Sequence, residues 1–259
     1  MKNIFNAAVI VLAMVFSFLV YEFVLGAPGN FKDAARHEPK AGNVAGTVYT
    51  GGFLVAVLMG LTIVAITFIF ERMMSINKAK GKGDPAAFIK RIQAHLEQGD
   101  IDGALAECDQ QRGSIANIVR SGLSRYQQVE NDPQYDPEKK LAEVQRAIDE
   151  ATNLETPLLE KNLVMLSTVA STSTMIGLLG TTLGMIRAFA ALGAGGSVSA
   201  QQLSVGISEA LYNTAGGLIA AIISIFAFNF FTTKVDNFVY MIDEAILSVM
   251  EILTVKVKK

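Results

Sequence analysis

The sequence predicts an all-α integral membrane protein with four transmembrane helices, of which the longer ones extend into a cytoplasmic helical domain. Of its 259 residues, 51% are hydrophobic and 18% are charged, against about 25% charged residues in an average soluble domain. The deficit is local, because four stretches are almost free of charge: 4–25, 51–70, 163–192 and 203–233. About 20 apolar residues cross a bilayer as a helix, and the alternation typical of membrane barrel strands is absent from these stretches.

The composition excludes several classes of function. The net charge of −2 gives no reason to expect a nucleic-acid partner. The single cysteine, Cys108, rules out a disulfide framework or a thiolate metal cluster within one chain, and His37 and His95 lie in separate polar segments, which makes a metal site unexpected. Phosphate-binding loops and nucleophile elbows are absent from the sequence. We therefore expect no catalytic residue, metal ion, cofactor or enzymatic activity.

Lysine and arginine set the expected orientation in the membrane. The segment 71–161 contains thirteen of them, the loop 26–50 contains three, and 193–202 contains none. Because cytoplasmic loops carry the excess of basic residues, we expect 71–161 to lie in the cytoplasm. Four spans then place both chain termini in the cytoplasm as well.

The first 83 residues divide into a membrane helix with a periplasmic loop, 1–50, and a second span with a basic flank, 51–83. The first apolar run has a basic start and ends in small residues at Gly26-Ala27, so it is also compatible with a cleaved signal peptide. Its length of about 20 residues exceeds the apolar core of a signal peptide. A retained helix is therefore the preferred interpretation, and the loop 26–50 has no predicted role.

The segment 84–161 is predicted to form a cytoplasmic helical domain. Apolar residues recur at helical spacing, and the first short helix begins at the cap Asp84-Pro85 and ends at Gly99. Two further short helices cover 101–108 and 115–123 and precede a polar linker, 126–137. From Glu138 a longer helix is expected to run into the third span, with a bend at Pro157. Its charges are interpreted as a solvated face, with a docking stalk as the alternative.

The paired spans in 162–235 carry small and hydroxyl-bearing residues at steps of three, four and seven, which share one face of each helix. In the third span these are Ala170, Ser173, Thr174, Gly177, Gly180, Thr181, Gly184 and Ala188. In the fourth they are Gly206, Ala210, Asn213, Thr214, Gly217, Ala220, Ala221 and Ser224. Small residues let membrane helices approach closely, which predicts helix packing at Gly177, Gly180, Gly184 and Gly217. The small-residue faces are compatible with helix packing alone and with the lining of a pore.

A cytoplasmic C-terminal helix is expected over 236–259.

Within 163–192 and 203–233 the paired spans contain two charged residues, Arg187 and Glu209, and charges inside membrane helices are costly and usually functional. Both lie 11 residues from Val198, the centre of the connecting loop, while Thr181 and Thr214 lie 17 and 16 residues from it. An antiparallel hairpin therefore sets Arg187 level with Glu209 near the outer mouth and the two threonines level near mid-membrane. We expect an ion pair between Arg187 and Glu209, within one chain or between subunits, and hypothesise that it keeps Glu209 ionised.

The polar groups of the paired spans are insufficient for proton transfer by themselves. Glu209 is their single acid, and the remaining polar residues are Arg187, Tyr212, serines, threonines and asparagines. Hydroxyl and amide groups orient water but do not carry charge at neutral pH. If protons cross here, a second polypeptide is expected to contribute an acid near mid-membrane.

Two motifs resemble a known family. Gly177–Phe189, GLLGTTLGMIRAF, resembles the second-membrane-helix motif of the ExbB/TolQ/MotA proton-channel family, and Gly206–Ala221, GISEALYNTAGGLIAA, resembles its third-helix motif. Glu71-Arg72 is similar to the end of the family's first helix. The resemblance covers about 51–235 and is closest to ExbB, the biopolymer transport protein.

The resemblance implies a function in the bacterial inner membrane. A homo-oligomeric ring, a pentamer, would surround a dimer of a one-span ExbD-like partner whose membrane aspartate carries the proton. Thr181 and Thr214 fall on the family's pore threonines and Glu209 on its membrane glutamate, and we expect Asn213 and Ser173 to line the ion pathway with them. Proton-motive force would drive this molecular motor and act through a TonB-like protein on outer-membrane transport.

Other interpretations stay open. A TolQ-like subunit for envelope constriction shares the same motifs, whereas a four-span chain is more similar to MotA-like flagellar or gliding stators, with Lys90, Arg91 and Glu97 as rotor-facing candidates. A non-conducting membrane scaffold would use the small-residue faces for assembly alone. Arg187 has no expected counterpart in the family, so ion access at the outer mouth is expected to differ.

Overall fold

The computed structural model describes residues 2–33, 38–193 and 200–257, and within these ranges the secondary structure is helical apart from one isolated bridge between Phe31 and Pro39. The described α-helices are α1 Lys2–Val20, α2 Val44–Tyr49, α3 Phe53–Ala79, α4 Pro85–Glu97, α5 Ile101–Gln111, α6 Ser114–Val129, α7 Pro137–Glu160, α8 Leu163–Gly193 and α9 Ala200–Val257. A π-helical turn, Tyr21–Leu25, continues α1, and a 3₁₀ turn covers Pro28–Asn30.

Four helical stretches are long and apolar enough to cross a membrane: Asn6–Leu25, Phe53–Ala79, Pro137–Ala190 and Leu203–Val257. The predicted all-α membrane protein with four membrane helices is thereby confirmed. The predicted hairpin centre, Val198, and His37 lie outside the described residues.

The chain forms two compact units. The membrane unit comprises residues 2–70 and 162–229, and the polar unit comprises residues 71–161 and 230–257.

In the membrane unit, α1 packs closely on α3. A Cβ atom built on Gly60 would lie 2.5 Å from the sulfur of Met14, so the thioether of Met14 occupies the space that a side chain at Gly60 would fill. The Ser17 hydroxyl donates a hydrogen bond to the carbonyl oxygen of Ala56, and the rings of Phe18 and Phe53 meet edge to face at 6.5 Å.

The loop between α1 and α3 is held by aromatic and amide contacts. Tyr21 stacks on Tyr49 at 4.5 Å between ring centroids, and Phe31 meets Tyr49 edge to face. The side-chain nitrogen of Asn30 donates to the carbonyl oxygens of Val24 and Leu25. These contacts fix the chain that leads into Gly51 and Gly52, directly before α3.

The polar unit has its own apolar core, to which α4, α5, α6, α7 and the end of α9 contribute buried side chains: Phe88, Ile92, Leu96, Ile101, Ala104, Cys108, Ile118, Leu123, Val144, Ile148, Phe238 and Ile242. Asp84, Asp100 and Asp136 cap α4, α5 and α7, since each accepts a hydrogen bond from the backbone amide of the third residue of its helix. The three predicted short helices are confirmed. The third one extends six residues past Leu123, to Val129, because Tyr126 and Val129 are buried in the core.

The predicted bend at Pro157 is wrong: the helical stretch Pro137–Ala190 is interrupted at Lys161 and Asn162 instead, between α7 and α8. Proline removes one helical hydrogen bond, yet α7 continues beyond it to Glu160. The helix stops where Asn162 adopts the left-handed conformation, with φ of 64°, which asparagine tolerates better than most residues. By contrast, the fourth span and the predicted C-terminal helix form one continuous helix, α9.

Candidate functional site

The glycines of α8 and α9 bring the two helix backbones into direct contact. A Cβ atom on Gly177 would lie 3.2 Å from the Cα atom of Gly217, and one on Gly184 would lie 2.8 Å from the backbone nitrogen of Ala210. A Cβ atom on Gly180 would overlap the side chain of Asn213. The four predicted packing glycines thus lie in the contact between two helices of one chain.

Arg187 and Glu209 form an ion pair beside this contact. Nη1 of Arg187 donates to Oε1 of Glu209 within the chain, whereas the sequence left open whether the pair would join two chains. Glu209 is only 8% exposed, but the Arg187 side chain is 63% exposed. The buried carboxylate of Glu209 is therefore paired with the exposed guanidinium of Arg187.

The backbone before α3 closes over the same carboxylate. Gly52 has φ of +78°, and a Cβ atom there would lie 2.7 Å from Oε1 of Glu209. A side chain at this position would therefore collide with the carboxylate or displace it. Sequence analysis missed Gly51 and Gly52; the two consecutive glycines at the start of an apolar span were the available signal.

Asn213 links α9 to this backbone. Its side chain is fully buried, and Nδ2 donates to the carbonyl oxygen of Gly51 at 2.8 Å and to that of Glu209 at 3.0 Å. The Ser173 side chain is also fully buried, and neither its oxygen nor Oδ1 of Asn213 has a hydrogen-bond partner among the described residues. A buried oxygen without a hydrogen-bond partner costs free energy of folding. Ser173 and Asn213 are therefore polar side chains that the fold keeps inside the helix contact at a cost in stability.

Thr181 and Thr214 lie at the edge of the contact, where both are half-buried. The Thr181 hydroxyl donates to the carbonyl oxygen of Leu178 at 2.6 Å, and the Thr214 hydroxyl lies 3.4 Å from that of Gly177, which is long for such a hydrogen bond. Because Gly177 contacts Thr214 and Gly180 contacts Asn213, the two threonines lie within about one helical turn of the same level.

Hydroxyl groups continue along the same side of α8. Thr174 and Ser167 precede Thr181 by seven and fourteen residues, a spacing that keeps them on one face. With Ser171 and residues of α9 they line a groove of about 630 Å³. Sequence analysis missed Ser167 and Ser171, although the seven-residue spacing pointed to Ser167.

The described residues contain no group of three or more histidine, cysteine, aspartate or glutamate side chains that could hold a metal ion. What they contain instead is a closely packed pair of apolar helices with an ion pair, whose carboxylate is buried and whose guanidinium is exposed, and a row of hydroxyl groups. This arrangement defines a class: polytopic helical membrane proteins with a polar, closely packed C-terminal hairpin.

Comparison with known proteins identifies the family within this class. Residues 110–244 match the MotA/TolQ/ExbB proton channel family, and the chain belongs to this family, which is not a known enzyme family. The chain is 31% identical over 186 residues to the Tol-Pal system protein TolQ of Pseudomonas aeruginosa, covering 70% of this chain and 80% of that protein.

Shorter and more similar matches involve two further proteins. The TolQ protein of Haemophilus influenzae is 41% identical over 114 residues, 44% of this chain and 49% of that protein. The biopolymer transport protein ExbB of Xanthomonas campestris is 42% identical over 94 residues, 36% of this chain and 37% of that protein. The match thus spans about half or less of these two relatives.

Proposed function

We propose that this chain is an ExbB-like subunit of a motor driven by proton-motive force in the bacterial inner membrane. In this proposal the chains form a homo-oligomeric ring, a pentamer, around an ExbD-like one-span partner, and the complex energises outer-membrane transport through a TonB-like protein. The polar unit and both termini are assigned to the cytoplasm. The observation that carries the proposal is the α8–α9 hairpin, whose Arg187–Glu209 pair and two threonines all lie in the segment that matches the proton-channel family.

The positions of the polar groups support a division of roles. Thr181 and Thr214 are half-buried at an edge of the helix contact, where their hydroxyls can orient water for a neighbouring helix. Ser173 and Asn213 are fully buried, so we assign them to the packing of the pathway wall. Glu209 is assigned to ion entry, with Arg187 controlling its charge. The partner supplies the acid that carries the proton between these groups, because hydroxyls cannot do so.

A TolQ-like role in envelope constriction is the second candidate. It is favoured by the match to the Pseudomonas aeruginosa TolQ protein, which extends over 70% of this chain. Both roles require the same proton pathway, so they differ in the partner that receives the work.

Complementation of a strain that lacks the chain tests the proposal. Thr181→Val, Thr214→Val and Glu209→Gln each remove one polar function, and Thr182→Val removes an exposed hydroxyl one residue away. We expect the first three variants to lose energised uptake of siderophores or vitamins, and Thr182→Val to retain it. Normal uptake combined with defective envelope constriction would favour the TolQ-like role, and loss of swimming or gliding alone would favour a stator.

A triple variant separates conduction from assembly. If Thr181→Val/Thr214→Val/Glu209→Gln supports wild-type uptake, constriction and motility, the chain acts as a scaffold and the proposal fails. Purification from the native membrane followed by imaging tests the pentamer and shows which partner fills the ring.

A further inference from the structure

A basic pocket lies in the polar unit, and none of its lining residues belongs to the α8–α9 hairpin. Its volume is about 530 Å³. The pocket is lined by three cationic side chains, Lys78, Lys82 and Arg112. The other lining residues come from the end of α3 and the loop after it, from the start of α6 and from the end of α7: Ser75, Ala79, Gly81, Gly113, Ser114, Asn117, Glu155, Leu158 and Leu159.

The cations of the basic pocket lack anionic partners. Arg112 forms no ion pair with any carboxylate in the described part of the chain, and the same holds for Lys78 and Lys82. The other described arginines each bond to a carboxylate: Arg72, Arg91, Arg120, Arg125, Arg146 and Arg187. The one carboxylate on the lining, Glu155, accepts a hydrogen bond from Asn117 at 2.8 Å. The pocket therefore holds an excess of positive charge.

Hydrogen bonds and close backbone contacts hold the two loops that carry Lys82 and Arg112. The Lys82 amide donates to the carbonyl oxygen of Gln111 at 2.6 Å, and the buried Gln111 side chain donates to that of Lys80 at 3.2 Å. A Cβ atom on Gly113 would lie 2.6 Å from the amide nitrogen of Gly81. The loop after α3 and the loop between α5 and α6 are thus in direct contact, and this contact fixes the backbone position of Arg112.

Arg112 itself has a costly conformation. Its φ of 55° and ψ of 175° fall in a region that is almost exclusive to glycine, and such strain persists where the side chain has a use. Here the strained residue is the arginine that lacks a carboxylate partner.

The start of α6 adds hydrogen-bond donors to the basic pocket. The residue before the helix is Gly113, which offers no side-chain cap, and the first turn contains no acidic residue. Ser114 is only 5% exposed, lines the pocket, and its hydroxyl forms no hydrogen bond within the described ranges. Free amides at a helix start and an unused hydroxyl favour an anion.

We propose that the basic pocket binds a phosphate group, carried either by an anionic phospholipid headgroup or by a soluble phosphate ester. Arg112 provides a planar pair of donors for phosphate oxygens, Lys78 and Lys82 provide charge, and Ser114 with the first amides of α6 completes the shell. Leu158 lines the pocket and is half-exposed, which suits an acyl chain, and basic residues that follow a membrane helix in sequence, as Lys78 and Lys82 do, attract anionic headgroups.

Native mass spectrometry of the full chain in neutral detergent tests this site. Phosphatidylglycerol, phosphatidylethanolamine or inorganic phosphate is added to the wild-type chain, to Arg112→Gly, to Lys82→Gln and to the control Lys80→Gln. Arg112→Gly removes the cation and relieves the backbone, so the apo chain should be as stable as the wild type or more so. Lys80 is exposed in the same loop but does not line the pocket.

We expect Arg112→Gly to weaken binding about tenfold or more, Lys82→Gln to weaken it less, and Lys80→Gln to leave it unchanged. Binding of phosphatidylglycerol but not inorganic phosphate identifies the lipid as the source, and the reverse identifies a soluble ester. The proposal is overturned if the wild type binds neither, or if Arg112→Gly and Lys80→Gln bind as the wild type does.

Discussion

Asn213 on α9 donates a 2.8 Å hydrogen bond to the carbonyl oxygen of Gly51, which ties the helix that carries Glu209 to the backbone before α3. The next residue, Gly52, lies against the Glu209 carboxylate. The loop 26–50, for which the sequence predicts no role, therefore leads directly to the ion pair. This contact also explains how a charge is held inside a membrane helix pair, since three segments of the chain surround it.

The contact at Gly52 predicts that an alanine substitution there lowers the stability of the chain more than the same substitution at a glycine without neighbours. Gly52→Ala should destabilise the chain by about 1–3 kcal/mol beyond the cost of the left-handed backbone, because its Cβ would lie 2.7 Å from the carboxylate oxygen. Gly42→Ala is the matched control, with φ of +76° and no heavy atom within 4 Å of the added Cβ. Thermal unfolding in neutral detergent measures both variants; equal losses would contradict the contact.

The ion pair predicts that replacing Arg187 and replacing Glu209 destabilise the folded chain by different amounts. Arg187→Gln leaves a buried carboxylate without its cation and should cost about 1–3 kcal/mol more than Glu209→Gln, because the guanidinium that remains in Glu209→Gln is already 63% exposed in the folded chain. Each kcal/mol lowers the Tm by about 2–4 °C in a chain of this size.

The double variant completes the cycle for Arg187 and Glu209. Arg187→Gln/Glu209→Gln should be more stable than Arg187→Gln alone, since no uncompensated charge remains. Additive losses would show that the two side chains do not interact in the folded chain.

Close packing of α8 on α9 predicts that Gly180 cannot accept a side chain. Gly180→Ala would overlap Asn213 and should destabilise the chain by about 1–3 kcal/mol. Gly216→Ala serves as the comparison, because its Cβ would meet Leu58 at an ordinary 3.4 Å. Thermal unfolding should show a lowered Tm for Gly180→Ala alone; a tolerated Gly180→Ala would mean that the helices lie farther apart.

Burial in the polar unit predicts an inert cysteine. Cys108 is 2% exposed, and burial, followed by the nearby Asp109 carboxylate, raises the pKa of its thiol to about 12. The thiol should therefore resist a maleimide at pH 7–8 until denaturant is added, as mass spectrometry can measure. Because the folded pKa is raised, this group's contribution to stability is full below pH 9, the ordinary thiol pKa, and falls above it. Rapid labelling of the native chain would contradict this.

Local patterns predict much of this fold. Apolar runs indicate the four spans, and a cap such as Asp84-Pro85 with helical spacing indicates α4 correctly. The level of Arg187 with Glu209 follows from counting residues on either side of a short loop. In each case the deciding interaction is a short-range one or a property of a single helix.

Other features depend on residues that are distant in sequence. Gly52 and Glu209 are 157 residues apart, so no pattern around either predicts their contact. Whether Arg112 has a carboxylate partner is likewise decided by the folded polar unit. The stop at Asn162 depends on one left-handed residue, whereas Pro157 is the more conspicuous helix breaker in the sequence.

A proton-flux measurement decides whether the α8–α9 hairpin conducts protons past Thr181 and Thr214. Proteoliposomes that contain this chain and an ExbD-like one-span partner would be loaded with a pH-sensitive dye and given an imposed membrane potential. We predict that Thr181→Val and Thr214→Val reduce the flux about tenfold or more, as expected for one lost hydrogen bond in the rate-limiting step, while Thr182→Val conducts like the wild type. Wild-type flux through both Thr181→Val and Thr214→Val would show that protons do not pass along these two threonines.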